Sequence, residues 1–177
     1  MTIVLRYISA GLVFAGLALL TPHWLPQLLL GWAALSLFVV SSAYWLNSAA
    51  VFRKRSDGSL PWYSRWLFIP FFFGAHVFNT VARRFDSVPA IQRISGDLCL
   101  GARLIESDLP QLASEGITAV LDVTAEFSAL EWATHNDGIQ YLNIPVLDHA
   151  PPTEAQLIQA VKWLHAQQAQ QKKILVH

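Results

Sequence analysis

The sequence predicts a multi-pass helical membrane segment followed by an α/β domain, a central sheet with helices on both faces. Three observations predict it. The 177 residues are 54% hydrophobic, 12% aromatic and only 14% charged, which is too apolar for an ordinary soluble domain. The charges that exist are graded along the chain: residues 1–52 hold one basic residue, residues 53–95 seven basic and two acidic, and residues 96–177 four basic and ten acidic. Near Phe85 the long apolar runs give way to strand-length runs broken by Gly, Pro and Asp. A membrane region over residues 1–84 and a soluble domain over residues 85–177 follow from these shifts.

Within the first region, the runs Tyr7 to Leu20 and Leu25 to Leu46 are nearly free of charge, and each is long enough as a helix to cross roughly 30 Å of hydrocarbon. Two transmembrane helices are therefore expected at about residues 7–21 and 25–46. The link Thr21-Pro22-His23-Trp24-Leu25-Pro26 carries turn-forming prolines and an interfacial type of tryptophan. A cleaved signal peptide fits poorly, because the second run would remain as an anchor. A third apolar stretch, about residues 60–82, is broken by Pro61, Arg65 and Pro70 and is rich in Trp and Phe. It reads either as a third span or as a segment lying in the interface.

The second region alternates strands and helices. Leu98-Cys99-Leu100 reads as a short strand before Gly101, and Glu106 to Ser114 as a helix capped by Ser107, with Asp108 in its first turn and Gly116 ending it. Thr118 to Val123 is a buried type of strand. Ile139 to Val146 is another, entered through an Asp137-Gly138 turn. Thr153 is a natural N-cap for a helix through about Gln168, with Leu157, Val161, Leu164 and His165 on one face. Ile174 to His177 is a fourth strand. With no helix after it, its face is expected to lack cover, which suggests a fragment, and residues 86–177 alone are expected to be unstable.

The run Ile94-Ser95-Gly96-Asp97-Leu98-Cys99-Leu100-Gly101, then Leu109 to Thr118, then Val120-Leu121-Asp122-Val123-Thr124-Ala125-Glu126 resembles the opening of a dual-specificity phosphatase domain. The stretch Leu142-Asn143-Ile144-Pro145-Val146-Leu147-Asp148-His149-Ala150-Pro151-Pro152-Thr153, a helix, and Ile174-Leu175-Val176-His177 resemble that family from its general-acid loop to the strand before its cysteine loop. The resemblance covers roughly residues 85–177 and stops one residue short of the cysteine of the motif His-Cys-x5-Arg. The apolar half resembles multi-pass segments that precede such domains in some bacterial membrane proteins.

The resemblance implies a cysteine-dependent protein tyrosine phosphatase chemistry: a thiolate attacks phosphorus, and an acid protonates the leaving oxygen. Asp148 stands at the general acid/base position and His177 at the position that organises the nucleophile's loop. The nucleophilic Cys and the phosphate-binding Arg are absent from this chain, so the 177 residues alone are expected to be inactive. The resemblance implies no cofactor and no metal. The expected partners are a phosphorylated protein or a phospholipid headgroup as substrate, and a lipid bilayer. The expected location is a bacterial inner (plasma) membrane, with the phosphatase-like domain cytoplasmic. The zero net charge gives no general attraction to nucleic acid.

Read without the family, several of these residues have plainer explanations. Asp148 beside His149 suits a solvated turn, and the pair is no metal site, because neighbouring residues on an extended chain point apart. Asp122 and Glu126 frame a strand end and read as a polar contact with no catalytic role. Cys99, the only cysteine, reads as a buried small hydrophobe. His135 and His165 lack zinc-motif spacing. The basic stretch from Arg53 to Arg93 reads as a topology determinant or as a contact for anionic lipid. The functional alternative to an enzyme is a non-catalytic membrane scaffold with a phosphatase-like binding domain. Transport is disfavoured, since the spans carry no ionisable residues to line a path.

Overall fold

The long apolar runs of the first part of the chain are helical. In the computed structural model, which describes residues 2–85, 89–102, 108–129 and 138–177, α1 spans Thr2–Leu20, α2 Trp24–Trp45 and α3 Trp62–Phe85, with a 3-10 turn at Ala49–Phe52. Residues 1–53 and 60–87 form one unit, and residues 54–59 and 88–177 a second. The expected Ser107 cap, the Asp137 turn residue and His135 lie outside the described residues.

In the first unit the link between α1 and α2 shortens to Thr21-Pro22-His23, because Pro26 is accommodated in the first turn of α2, where its missing N–H costs nothing. The two helices pack closely. A Cβ at Gly11 would overlap the Phe38 ring, Tyr7 stacks on Tyr44 at 5.6 Å, and Ser41 donates to the Val4 carbonyl at 3.2 Å. Both are long and apolar enough to cross a membrane. The third stretch is one continuous helix despite Pro70, and it lies outside that class. Its contacts with α2 include stacking of Trp66 on Trp32 at 4.7 Å. Leu12, Val13, Leu17, Leu28, Leu29 and Leu35 are exposed.

The second unit is a five-stranded sheet of order β1-β2-β5-β3-β4, with β1 Ile91–Ser95, β2 Leu98–Gly101, β3 Ala119–Thr124, β4 Gln140–Val146 and β5 Ile174–Val176. Only β1 is antiparallel to its neighbour. Helix α4 (Leu109–Glu115) links β2 to β3, and α5 (Glu154–Ala169) links β4 to β5. These crossovers run in opposite directions across the sheet, so their right-handedness puts α4 and α5 on opposite faces. On the α4 side Cys99, Leu112, Ile117, Val120 and Leu175 form a buried cluster.

Local chemistry explains the helix ends. Gly116 adopts φ +67° and closes α4 with its N–H on the Ala113 and Leu112 carbonyls. Thr153 caps α5 in a reciprocal box: Gln156 N–H donates to Thr153 Oγ1, while Thr153 N–H donates to Gln156 Oε1 at 2.9 Å. The expected cover problem at the last strand takes a different form. Ile174 and Leu175 are both fully buried, because the crossover through α5 inserts β5 between β2 and β3. The uncovered apolar surface is instead on α5, where Leu157, Ile158 and Val161 are about half exposed. β1 escaped the sequence reading because only Ile91 of Ile-Gln-Arg-Ile-Ser is buried, so no alternation marks it.

Candidate active site

Three parallel strands, β5, β3 and β4, end at one edge of the sheet, and the sequence-predicted residues follow from there. His177 continues β5, giving its N–H to Leu121 O at 3.0 Å and accepting from Val123 N–H at 2.7 Å. Its Nδ1 is buried with no hydrogen-bond partner among the described residues. Burial pushes the imidazole below the ordinary histidine range, the Lys54 ammonium adds to this, and Asp122 opposes it.

Asp148 lies in the turn after β4. That turn is closed by Ala150 N–H on Leu147 O, and it puts His149 at φ +59°. The Asp148 carboxylate is exposed and 3.5 Å from His149 Nε2. Its backbone N–H donates to Glu126 Oε1 at 2.9 Å, and Glu126 is 2% exposed. The strand-end polar contact expected of Glu126 is thus the clamp on the turn that carries Asp148. No hydrogen bond among the described residues joins Asp148 to His177.

Asp122 is far more than a strand-end contact. Its side chain is fully buried at a bulge where the β3–β4 register shifts, and it accepts four hydrogen bonds: from Lys54 Nζ at 2.7 Å and Tyr141 OH at 2.6 Å on Oδ2, and from Thr124 N–H at 2.8 Å and Thr124 Oγ1 at 2.7 Å on Oδ1. Burial alone would raise this carboxyl; the Lys54 charge, His177 and the Lys54 and Tyr141 hydrogen bonds overcome it and hold the group below the usual carboxylate range. The same surroundings drive the Tyr141 hydroxyl well above the ordinary tyrosine range, chiefly by burial and by the Asp122 charge.

Lys54 is the residue that sequence reasoning misplaced. Grouped with the basic stretch as a topology or lipid-facing charge, it is instead buried, and its Nζ donates to Asp122, to Thr124 O at 2.7 Å and to Thr124 Oγ1 at 3.0 Å. Burial lowers its pKa, against the pull of Asp122 and Glu126. The short segment 54–59 that delivers it is a tight turn. Gly58 N–H bonds Arg55 O, and Arg55 N–H bonds Ser59 O. Gly58 sits at φ +77° against Tyr141 and Ala129, leaving no room for a Cβ, and its carbonyl accepts from Ala129 N–H at 2.8 Å. A lone lysine between two arginines, followed by Asp-Gly, was the only local signal.

Cys99 is 1% exposed within the core cluster, where a thiolate cannot reach a substrate. Among the described residues no three of His, Cys, Asp and Glu gather as a metal site would require.

The chain matches no established family profile. Over 68 residues, 38% of its length, it is 36% identical to Uncharacterized protein C7D4.09c of Schizosaccharomyces pombe, and it spans only 22% of that protein. Among solved structures it is similar to the active form of Tk-PTP, at 23% identity and a TM-score of 0.45, over 50% of this chain and 61% of that one. It is also similar to a DUF442 candidate phosphatase from Shewanella putrefaciens CN-32, at 20% identity and a TM-score of 0.43, over 54% of this chain and 62% of that one.

Proposed function

We propose that this chain is the membrane-anchoring and leading part of a cysteine-dependent phosphatase of the tyrosine or dual-specificity type, hydrolysing phosphate monoesters beside a bilayer. The observation that carries the reading is the shared sheet edge. The resembling stretches Leu142–Thr153 and Ile174–His177 belong to parallel strands whose carboxyl ends, bearing Asp148 and His177, face the same way. In open α/β sheets that edge is where ligands bind.

On this reading a cysteine after His177 attacks phosphorus as a thiolate. The P–O bond to the leaving group breaks as Asp148 gives that oxygen its proton. The Asp148 carboxylate then takes a proton from water, the water oxygen attacks the phosphocysteine, and inorganic phosphate and the thiolate leave. The Arg of Cys-x5-Arg, six residues beyond the cysteine, and the amides of its loop hold the phosphoryl oxygens. The 177 residues alone supply the acid and the frame, but not the nucleophile.

Exposed leucines along α1 and α2 support the membrane setting, since a core helix would bury them. Exposed Arg53, Arg55 and Arg65 suit an anionic bilayer surface and tilt the substrate toward a phospholipid headgroup over a phosphoprotein. A cytoplasmic domain on a bacterial plasma membrane fits the basic residues near the helix ends.

The test begins with the gene beyond the codon for His177, where Cys-x5-Arg is expected. The whole protein in nanodiscs should then hydrolyse p-nitrophenyl phosphate. Asp148→Asn is expected to lower kcat/KM by about 100-fold or more, and loss of the cysteine to abolish turnover. Turnover unchanged in both variants, or no cysteine there, leaves a non-catalytic scaffold as the better reading.

A further inference from the structure

The segment between the 3-10 turn and α3 is interposed within the apolar half of the sequence, yet it belongs to the sheet unit. Its Lys54 ammonium has three acceptors, and all three belong to Asp122 and Thr124, the residues flanking the β3 bulge. The chain then bends directly into Ala125 and Glu126. Ala125 N–H bonds Val146 O at 3.1 Å, and the Glu126 carboxylate holds the Asp148 N–H. Asn143 adds its amide to the Asp122 carbonyl at 3.0 Å, so the bulge is tied to β4 as well. At the far end of the same bend, Ala129 N–H is held by Gly58 O. The bend 124–129 is therefore pinned at its start by Lys54 and at its end by Gly58, and its middle residue carries the Asp148 turn.

We propose that Lys54 is a positioning residue for the general acid: the loop following the second apolar helix sets the bend that clamps the Asp148 turn through Glu126. This rests on the phosphatase reading for its kinetic consequence, but not for its structural one. Asp148 is exposed and, among the described residues, its one tie to the sheet is its backbone N–H, so the bend that presents Glu126 decides where its carboxylate stands. A buried ammonium bonded to a strand-end carbonyl does this where a purely charge-balancing partner would not, because the Thr124 O contact fixes backbone.

The experiment uses the whole protein in nanodiscs with Lys54→Met and the paired Lys54→Met/Asp122→Asn, which removes the stranded carboxylate and preserves folding where the single variant fails to fold. The readouts are kcat/KM for p-nitrophenyl phosphate and phenyl phosphate, and hydrogen exchange of the Asp148 amide. A poorer leaving group needs the acid more. The expected result for the paired variant is a loss of roughly 10-fold on p-nitrophenyl phosphate and roughly 100-fold on phenyl phosphate, within the range of one general acid, together with faster Asp148 amide exchange. Equal losses on the two esters, or wild-type kinetics with wild-type amide protection in the paired variant, would overturn the proposal and reduce Lys54 to a charge partner. If the wild type itself turns over neither ester, the phosphatase reading has failed. The Asp148 amide then decides alone: faster exchange sustains the positioning role, and unchanged exchange sinks it.

Discussion

Lys54 and Asp122 are both fully buried, and charges taken out of water are tolerated only when their bonding capacity is filled. Here it is filled on both sides, three acceptors around the ammonium and four donors around the carboxylate. Removing one partner leaves the other stranded. Asp122→Ala is expected to destabilise the sheet unit by about 3–5 kcal/mol, read as a shift in the denaturant midpoint, whereas Tyr141→Phe, which removes one bond to the carboxylate, should cost about 1.5–3 kcal/mol. A loss below about 1 kcal/mol for Asp122→Ala would mean that the site admits water. The sequence announced Asp122 only as a strand-end acid, because its partner lies 68 positions away and nothing local marks either as one of a pair.

At the scale of elements, the parts with short-range signals were legible. Thr153 with Gln156 three residues on is a capping box in sequence and in space, and Thr153→Ala should lower stability by about 1 kcal/mol. Gln156 also donates to Pro145 O at 2.9 Å, so Gln156→Ala should cost more than the cap alone and loosen the end of β4, seen as faster amide exchange around Pro145. Gly116 and the strands β2 to β5 were equally readable, since glycine at a helix end and apolar runs between turn residues are local features. β1 was not, because an edge strand with one buried residue has no pattern to detect. The apolar stripe on α5 was read correctly as a stripe; that it stays half exposed is a tertiary fact.

For the molecule as a whole, acid should act through the buried edge. His177 is depressed below its ordinary value of 6.5, so the unfolded chain binds a proton that the folded chain refuses, and stability falls as pH drops below about 6.5. Asp122 is likewise depressed, so its contribution is present above its ordinary 3.8 and is lost as pH falls through the folded value. Melting temperature is therefore expected to decline from pH 7.5 to 5, and His177→Gln should flatten that limb; an identical slope in the variant would assign it elsewhere. Residues 88–177 expressed without the segment 54–59 lack the Lys54 partner of Asp122, and no cooperative melt is expected of them by calorimetry. A sharp melt would show that the sheet holds its bulge unaided. By itself the sequence determined the two apolar helices, the order of β2 to β5 with the helices between them, the Thr153 cap and the Gly116 helix end, because each is encoded within a few residues by periodicity, charge or turn chemistry. Only the tertiary structure decided that β5 is central, that Glu126 clamps the Asp148 turn, and that a lysine from the apolar half completes the sheet's edge. Those depend on which distant residues meet, and burial turns such meetings into strong bonds that no local pattern carries.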